Sequence, residues 1–141
     1  MFKRISGEQN LEYFPKVAST DISNGALLYS DGSGNVQPAD ATSGDHVGVS
    51  VREVASEDSD YGDNSHIPVD VPGPKDVFEV DVETGTLSAS DVGSRYDLAS
   101  ATGIDVTAQS KQVVTVVAMK DASTALVKVN ALITEADVQT T

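Results

Sequence analysis

The chain has 141 residues, room for one domain with a single core. Its 22 acidic and nine basic side chains give a formal net charge of −13, which opposes binding to nucleic acid or to anionic lipid. There is no cysteine, so disulfides and thiolate chemistry are excluded, and with no Trp the core must be built mainly from Val, Ala and other small residues, a composition that favours β structure.

Residues 1–24 open the chain without a clear period. Phe2, Ile5, Leu11, Tyr13, Phe14 and Val17 are scattered among polar residues, and Pro15 forbids a continuing helix. Lys3, Arg4 and Lys16 supply three of the nine basic side chains. The charges of Met1 to Gly7 are followed by Glu8-Gln9-Asn10 and not by an apolar run, so the segment does not read as a secretory signal. It reads as an extended N-terminal arm that cannot fold alone and docks on something. Two readings stay open: it packs on another chain, or it lies across its own domain as a first strand.

Residues 25–132 read as a β-domain. Without residues 1–16, which hold three basic and two acidic side chains, six basic face 20 acidic residues, a net of −14. Ala26 to Ser30 is a strand, Asp31-Gly32-Ser33-Gly34-Asn35 a turn, and Val36-Gln37-Pro38 the return of a hairpin. In His46 to Val54, Val47, Val49 and Val51 share one face, and His46, Gly48, Ser50 and Arg52 share a polar one. Residues 55–65 form an acidic loop. Ile67, Val69 and Val71 alternate, and Pro68 argues for a sheet edge. After the stiff turn Pro72 to Asp76, Phe78, Val80 and Val82 alternate with Glu79 and Asp81. Ser88 to Gly93 is one short helical turn closed by Gly93. Arg95 to Leu98 and Gly103 to Val106 are short strands. The apolar run Gln112 to Met119 reads as a central, doubly buried strand, and Thr124 to Leu132 pairs back on it. Residues 133–141 form a polar C-terminal tail. Eight or nine short strands with frequent turns give an all-β fold, a small antiparallel barrel or sandwich.

Catalytic chemistry is sparse. His46 and His66 read as surface residues, since Ser and Asp are too abundant for a neighbouring pair to define a triad. The loop Glu57 to Asn64 has the oxygen ligands a hard cation wants, but Gly62 stands where a ligand belongs and no Glu closes it, so it reads as a solvated loop. Gly32-Ser33-Gly34 is not followed by Gly-Lys-Ser/Thr, so it is a turn and not a phosphate loop. Three of the seven aromatics fall in the arm, which leaves little for a sugar platform; Phe78 and Tyr96 read as core or interface residues. No cofactor, metal or catalytic set is expected.

The order of parts resembles the small decoration (cement) proteins of tailed-phage capsids, in which a short arm precedes a β-tulip-like domain. The likeness runs through Gly25-Ala26-Leu27-Leu28, Gly34 to Ala39, His46-Val47-Gly48-Val49, Asp91 to Leu98 and Val113 to Val129, most of residues 25–130. It implies a non-enzymatic virion protein on the outer capsid surface, bound to the major capsid protein as a homotrimer at three-fold sites. It implies no nucleic acid or membrane partner. The arm residues Phe2, Lys3, Arg4, Ile5, Leu11, Tyr13, Phe14 and Lys16 would then bind the capsid. The alternative from the same composition is a tail, fibre or spike module. A hydrolase or sugar-binding domain is the third reading and would need a concave pocket with convergent polar groups.

Overall fold

Short runs of Val, Leu and Ile separated by Gly, Asp and Asn turns fold into eleven strands among residues 1–130, the part that the computed structural model describes. They are β1 (Lys3–Ser6), β2 (Leu11–Pro15), β3 (Leu27–Ser30), β4 (Val36–Pro38), β5 (His46–Ser50), β6 (His66–Asp70), β7 (Val77–Thr84), β8 (Arg95–Ser100), β9 (Gly103–Asp105), β10 (Val114–Asp121) and β11 (Thr124–Val129). A single 3-10 turn, Ala89–Asp91, precedes Gly93, whose φ of +92° ends it as expected. The fold is all-β.

The strands form two sheets. The first has the order β1-β7-β11-β10-β8-β9, and β9 returns to pair with β7, closing a five-stranded barrel. The β7–β9 pair is parallel, as is the isolated Lys16–Val36 bridge, a departure from the antiparallel pairing expected. β1 lies on the same side of β7 as β9, covering Val77 to Glu79 while β9 covers Asp81 to Thr84. The second sheet has the order β2-β6-β5-β3-β4, and its two outer strands meet where Lys16 bridges Val36.

Each sheet has its own core. Phe78, Val80, Leu98, Ile104, Val114, Val116, Ala125 and Val127 fill the barrel, joined by Phe2 and Tyr96 and by Leu27 and Val49 from the second sheet. Ile22, Leu28, Val36, Val47, Val54, Ile67 and Val69 form the other core, with Phe14 against it. The second sheet is therefore covered on both faces, one of them by the barrel.

That double cover corrects the reading of β5. Leu28 pairs with Gly48 and Tyr29 with His46, so Val47 is an extra, bulged residue. The bulge reverses the alternation: Val47 enters one core and Val49 the other. His46 is fully buried and not on a polar surface, because β5 is a central strand. Gly48 fits there because β6 runs close. A Cβ at Gly48 would sit 2.5 Å from the Asp70 carbonyl oxygen and 2.8 Å from Val69 Cγ1. Gly48→Ala is expected to destabilise the fold by about 1–3 kcal/mol or more through overpacking, measurable as a shifted urea midpoint.

One further expectation is not confirmed, and two are corrected. The extended arm is not confirmed: β1 extends the barrel sheet, β2 extends the second sheet, and Ile22 exchanges two backbone hydrogen bonds with Val54. β6 is not an edge strand but lies between β2 and β5. Pro68 is tolerated because its carbonyl accepts from Val51 just past the end of β5, where the ladder has already stopped. β10 is central in its sheet but fully buried on one face only: Val114 and Val116 point into the barrel, while Thr115 and Val117 on the other face are partly exposed and the strand's end, Met119 to Asp121, is exposed. Ala131, Leu132 and the expected tail 133–141 lie outside the described residues.

Carboxylates hold the turns. Asp97, almost fully buried on β8, accepts from Ser110 N (3.1 Å) and Oγ (2.8 Å), Lys111 N (2.6 Å) and Gln112 N (2.8 Å). They hold Gln112 in a left-handed conformation, φ 53°. Burial alone would push the Asp97 carboxyl up, but these donors together hold it below its ordinary value. Asp76 is lowered chiefly by Arg4, Asp91 by Tyr96, and Asp40 by the Thr42 N–H. A carboxylate lowered in the fold stabilises it fully above the unfolded pKa, and that contribution is lost as pH falls through the folded value. The thermal midpoint is therefore expected to fall steeply below about pH 4. Asp97→Asn should flatten that dependence in a pH series of melts.

Candidate functional site

The eight residues proposed for capsid binding divide by strand alternation. Phe2 and Arg4 share parity and point inward. Phe2 is buried in the barrel core, and the Arg4 guanidinium lies 5.0 Å over the Phe78 ring. Phe14 packs, half-buried, on the second core, and Lys16 is fully buried. Lys3, Ile5, Leu11 and Tyr13 are exposed, the last three at 46%, 43% and 63%. Four of the sequence-derived contacts therefore belong to the protein's own interior, because each sits on the inward face of its strand or at the closure of a sheet.

Arg4 spans the seam between the sheets. From β1 it donates to Asp70 on β6 through Nε (2.9 Å) and Nη2 (2.7 Å), a two-pronged pair. Nη1 pairs with Asp76 at 2.9 Å and donates to the Ser6 carbonyl at 3.2 Å. The Arg4 and Asp70 side chains are only 13% and 3% exposed. The Asp70 bonds, more than burial opposes them, push the Arg4 guanidinium still higher, so it stays charged. Asn10 N adds a bond to Asp70 at 3.2 Å, fixing the link from β1 to β2.

What remains on the surface includes large apolar side chains and open strand edges. β1 pairs only with β7, and β2 only with β6 apart from the Lys16–Val36 bridge at its end. Their outer edges carry no further strand among the described residues, and such edges are templates for pairing. Met1, Ile5, Leu11 and Tyr13 are exposed large apolar side chains of this segment. Val92 and Met119 are exposed elsewhere, and nothing in the sequence pattern had marked them. With Arg4 and Lys16 used internally, Lys3 is the basic side chain that residues 1–16 leave to a partner. The exposed charges of the segment are Lys3, Glu8 and Glu12, so it presents apolar side chains among mixed charges and not a basic leader.

The acidic loop 55–65 is tied down from within. Arg52 pairs with Asp60 (Nη1 2.8 Å, Nη2 2.7 Å) and reaches Asp58 at 3.6 Å. Ser65 Oγ also donates to Asp60 at 2.5 Å, and these bonds, led by Arg52, hold the Asp60 carboxyl far below its ordinary value. Among the described residues no three His, Asp or Glu side chains are placed to hold a metal ion, and no helix is long and apolar enough to cross a membrane. His66 is exposed at the start of β6. Gly32 and Gly34, both at positive φ, form the β3–β4 turn. Phe78 and Tyr96 are core residues.

No protein-family model and no curated protein matches this chain.

Proposed function

We propose that this protein is a capsid decoration protein, which binds the major capsid protein on the outside of a viral shell and stabilises it against internal DNA pressure. The observation that carries the reading is the strap: Ile5, Leu11 and Tyr13 exposed on two strands with open edges, in a chain whose net charge is −13. The resemblance to that family in stretches covering most of residues 25–130 points the same way. Apolar and aromatic side chains beside an open edge give a partner both contact area and backbone hydrogen bonds. One strap is a small interface. A homotrimer at a three-fold site presents three, and the second and third contacts form at high effective concentration. The acidic remainder faces solvent and keeps decorated particles apart.

The test is co-sedimentation with expanded, undecorated capsids. Binding should saturate at hundreds of copies per particle, where a tail or fibre module would give a small fixed number. Leu11→Ser combined with Tyr13→Ser should weaken binding by about 30-fold or more with an unchanged melting temperature. Equal affinity of this folded variant would reject the strap as the contact.

A further inference from the structure

The Lys16 side chain is fully buried, and its ammonium ends among backbone carbonyls of the acidic loop. Nζ donates to the carbonyl oxygens of Asp60 (2.7 Å), Tyr61 (3.2 Å) and Asp63 (2.6 Å). An ammonium has three donors, and three carbonyls accept them. The nearby carboxylates are engaged elsewhere: Asp60 by Arg52 and Ser65, Asp63 by Ser65 N at 2.9 Å. The Lys16 backbone is held to the same loop, its N–H donating to Ser65 O at 3.0 Å and its carbonyl accepting from Asn64 Nδ2 at 2.8 Å.

We propose that the 55–65 loop is a monovalent-cation site whose resident cation is the chain's own Lys16 ammonium. Converging carbonyls replace the hydration shell of a cation. All three contacts are longer than the 2.0–2.1 Å of magnesium, and those to Asp60 (2.7 Å) and Tyr61 (3.2 Å) exceed the 2.3–2.6 Å typical of calcium, whose upper end the Asp63 contact (2.6 Å) only meets. The cage suits ammonium, or potassium, which is of similar radius. The sequence shows oxygen-rich residues without calcium-loop spacing for this reason: the carbonyls and not the carboxylates do the binding, and the cation arrives on the residue that follows β2. Because Lys16 also bridges Val36, the same residue closes the second sheet. The inference does not depend on the capsid reading.

Removing the side chain should hand the site to solution. The Lys16→Ala variant is to be melted at constant ionic strength in choline, sodium, potassium, ammonium, methylammonium or calcium chloride. The wild-type midpoint should be the same in all the monovalent salts. The variant should melt lowest in choline, and ammonium or potassium should raise its midpoint saturably, by roughly 5 °C or more. A variant with equal midpoints in choline and ammonium, or one raised by calcium alone, would overturn the proposal. If the variant does not fold, nitrogen-15 NMR of the wild type decides. One lysine ammonium should exchange its protons slowly and lose that signal in Lys16→Arg, whereas uniformly fast exchange at all six lysines would overturn the proposal.

Discussion

Arg4→Ala is expected to lower the unfolding free energy by about 3–5 kcal/mol. That is a large share of the roughly 5–15 kcal/mol that holds a domain of this size. The magnitude comes from what is left behind. Asp70 is 3% exposed, and without Arg4 its charge stays buried between the sheets with the Asn10 N–H as its other hydrogen-bond donor. Asp76 loses its ion-pair partner as well and keeps the Gly73 N–H at 2.6 Å. Arg4→Lys keeps the charge but not the fork that meets both oxygens of Asp70, so it should fall between wild type and Ala. Urea unfolding of the three proteins measures this. A loss below about 1 kcal/mol for Arg4→Ala would put the pair in the class of solvent-exposed bridges and remove it as the tie between the sheets.

Phe2→Ala should cost about 3–5 kcal/mol, because the ring is buried in the barrel core and its loss leaves a cavity beneath β1. Deleting residues 1–16 should abolish folding at room temperature. The deletion removes Phe2, the Arg4 tie, one strand from each sheet and the Lys16 closure of the second sheet. Near-ultraviolet circular dichroism and a proton–nitrogen NMR spectrum would register it. A well-dispersed spectrum from the truncated chain would mean that the segment is a detachable arm after all. Because truncation destroys the fold, the binding surface must be probed with the exposed residues Leu11 and Tyr13.

Local features were legible in the sequence. The β3–β4 hairpin, the 88–93 turn and the β10–β11 hairpin each join neighbouring segments, and Gly, Asp and Ser mark their turns. The alternation of Phe78 and Val80 with Glu79 and Asp81 gave β7 its inner face. Contacts distant in sequence were not legible. Arg4 meets Asp70 only after both sheets have formed and Lys16 meets Asp60 only after the second has, and no local pattern encodes either pair. Arg4 sits two residues from Phe2, and that shared strand parity was the available hint that it points inward. The bulge at Val47 carries no composition signal, so a clean Val alternation gave the wrong face for one of its members. Lys3, Ile5, Leu11 and Tyr13 survive as candidate contacts because they occupy the outward positions of strands whose inward positions do structural work.

The most direct measurement is an electron cryomicroscopy map of decorated capsids at a resolution that traces strands. The account predicts β1 and β2 against the shell, with Leu11 and Tyr13 covered by the major capsid protein and the barrel's far end in solvent. A map that places the protein on the shell with Leu11 and Tyr13 open to solvent, or that places it away from the outer surface, would contradict it.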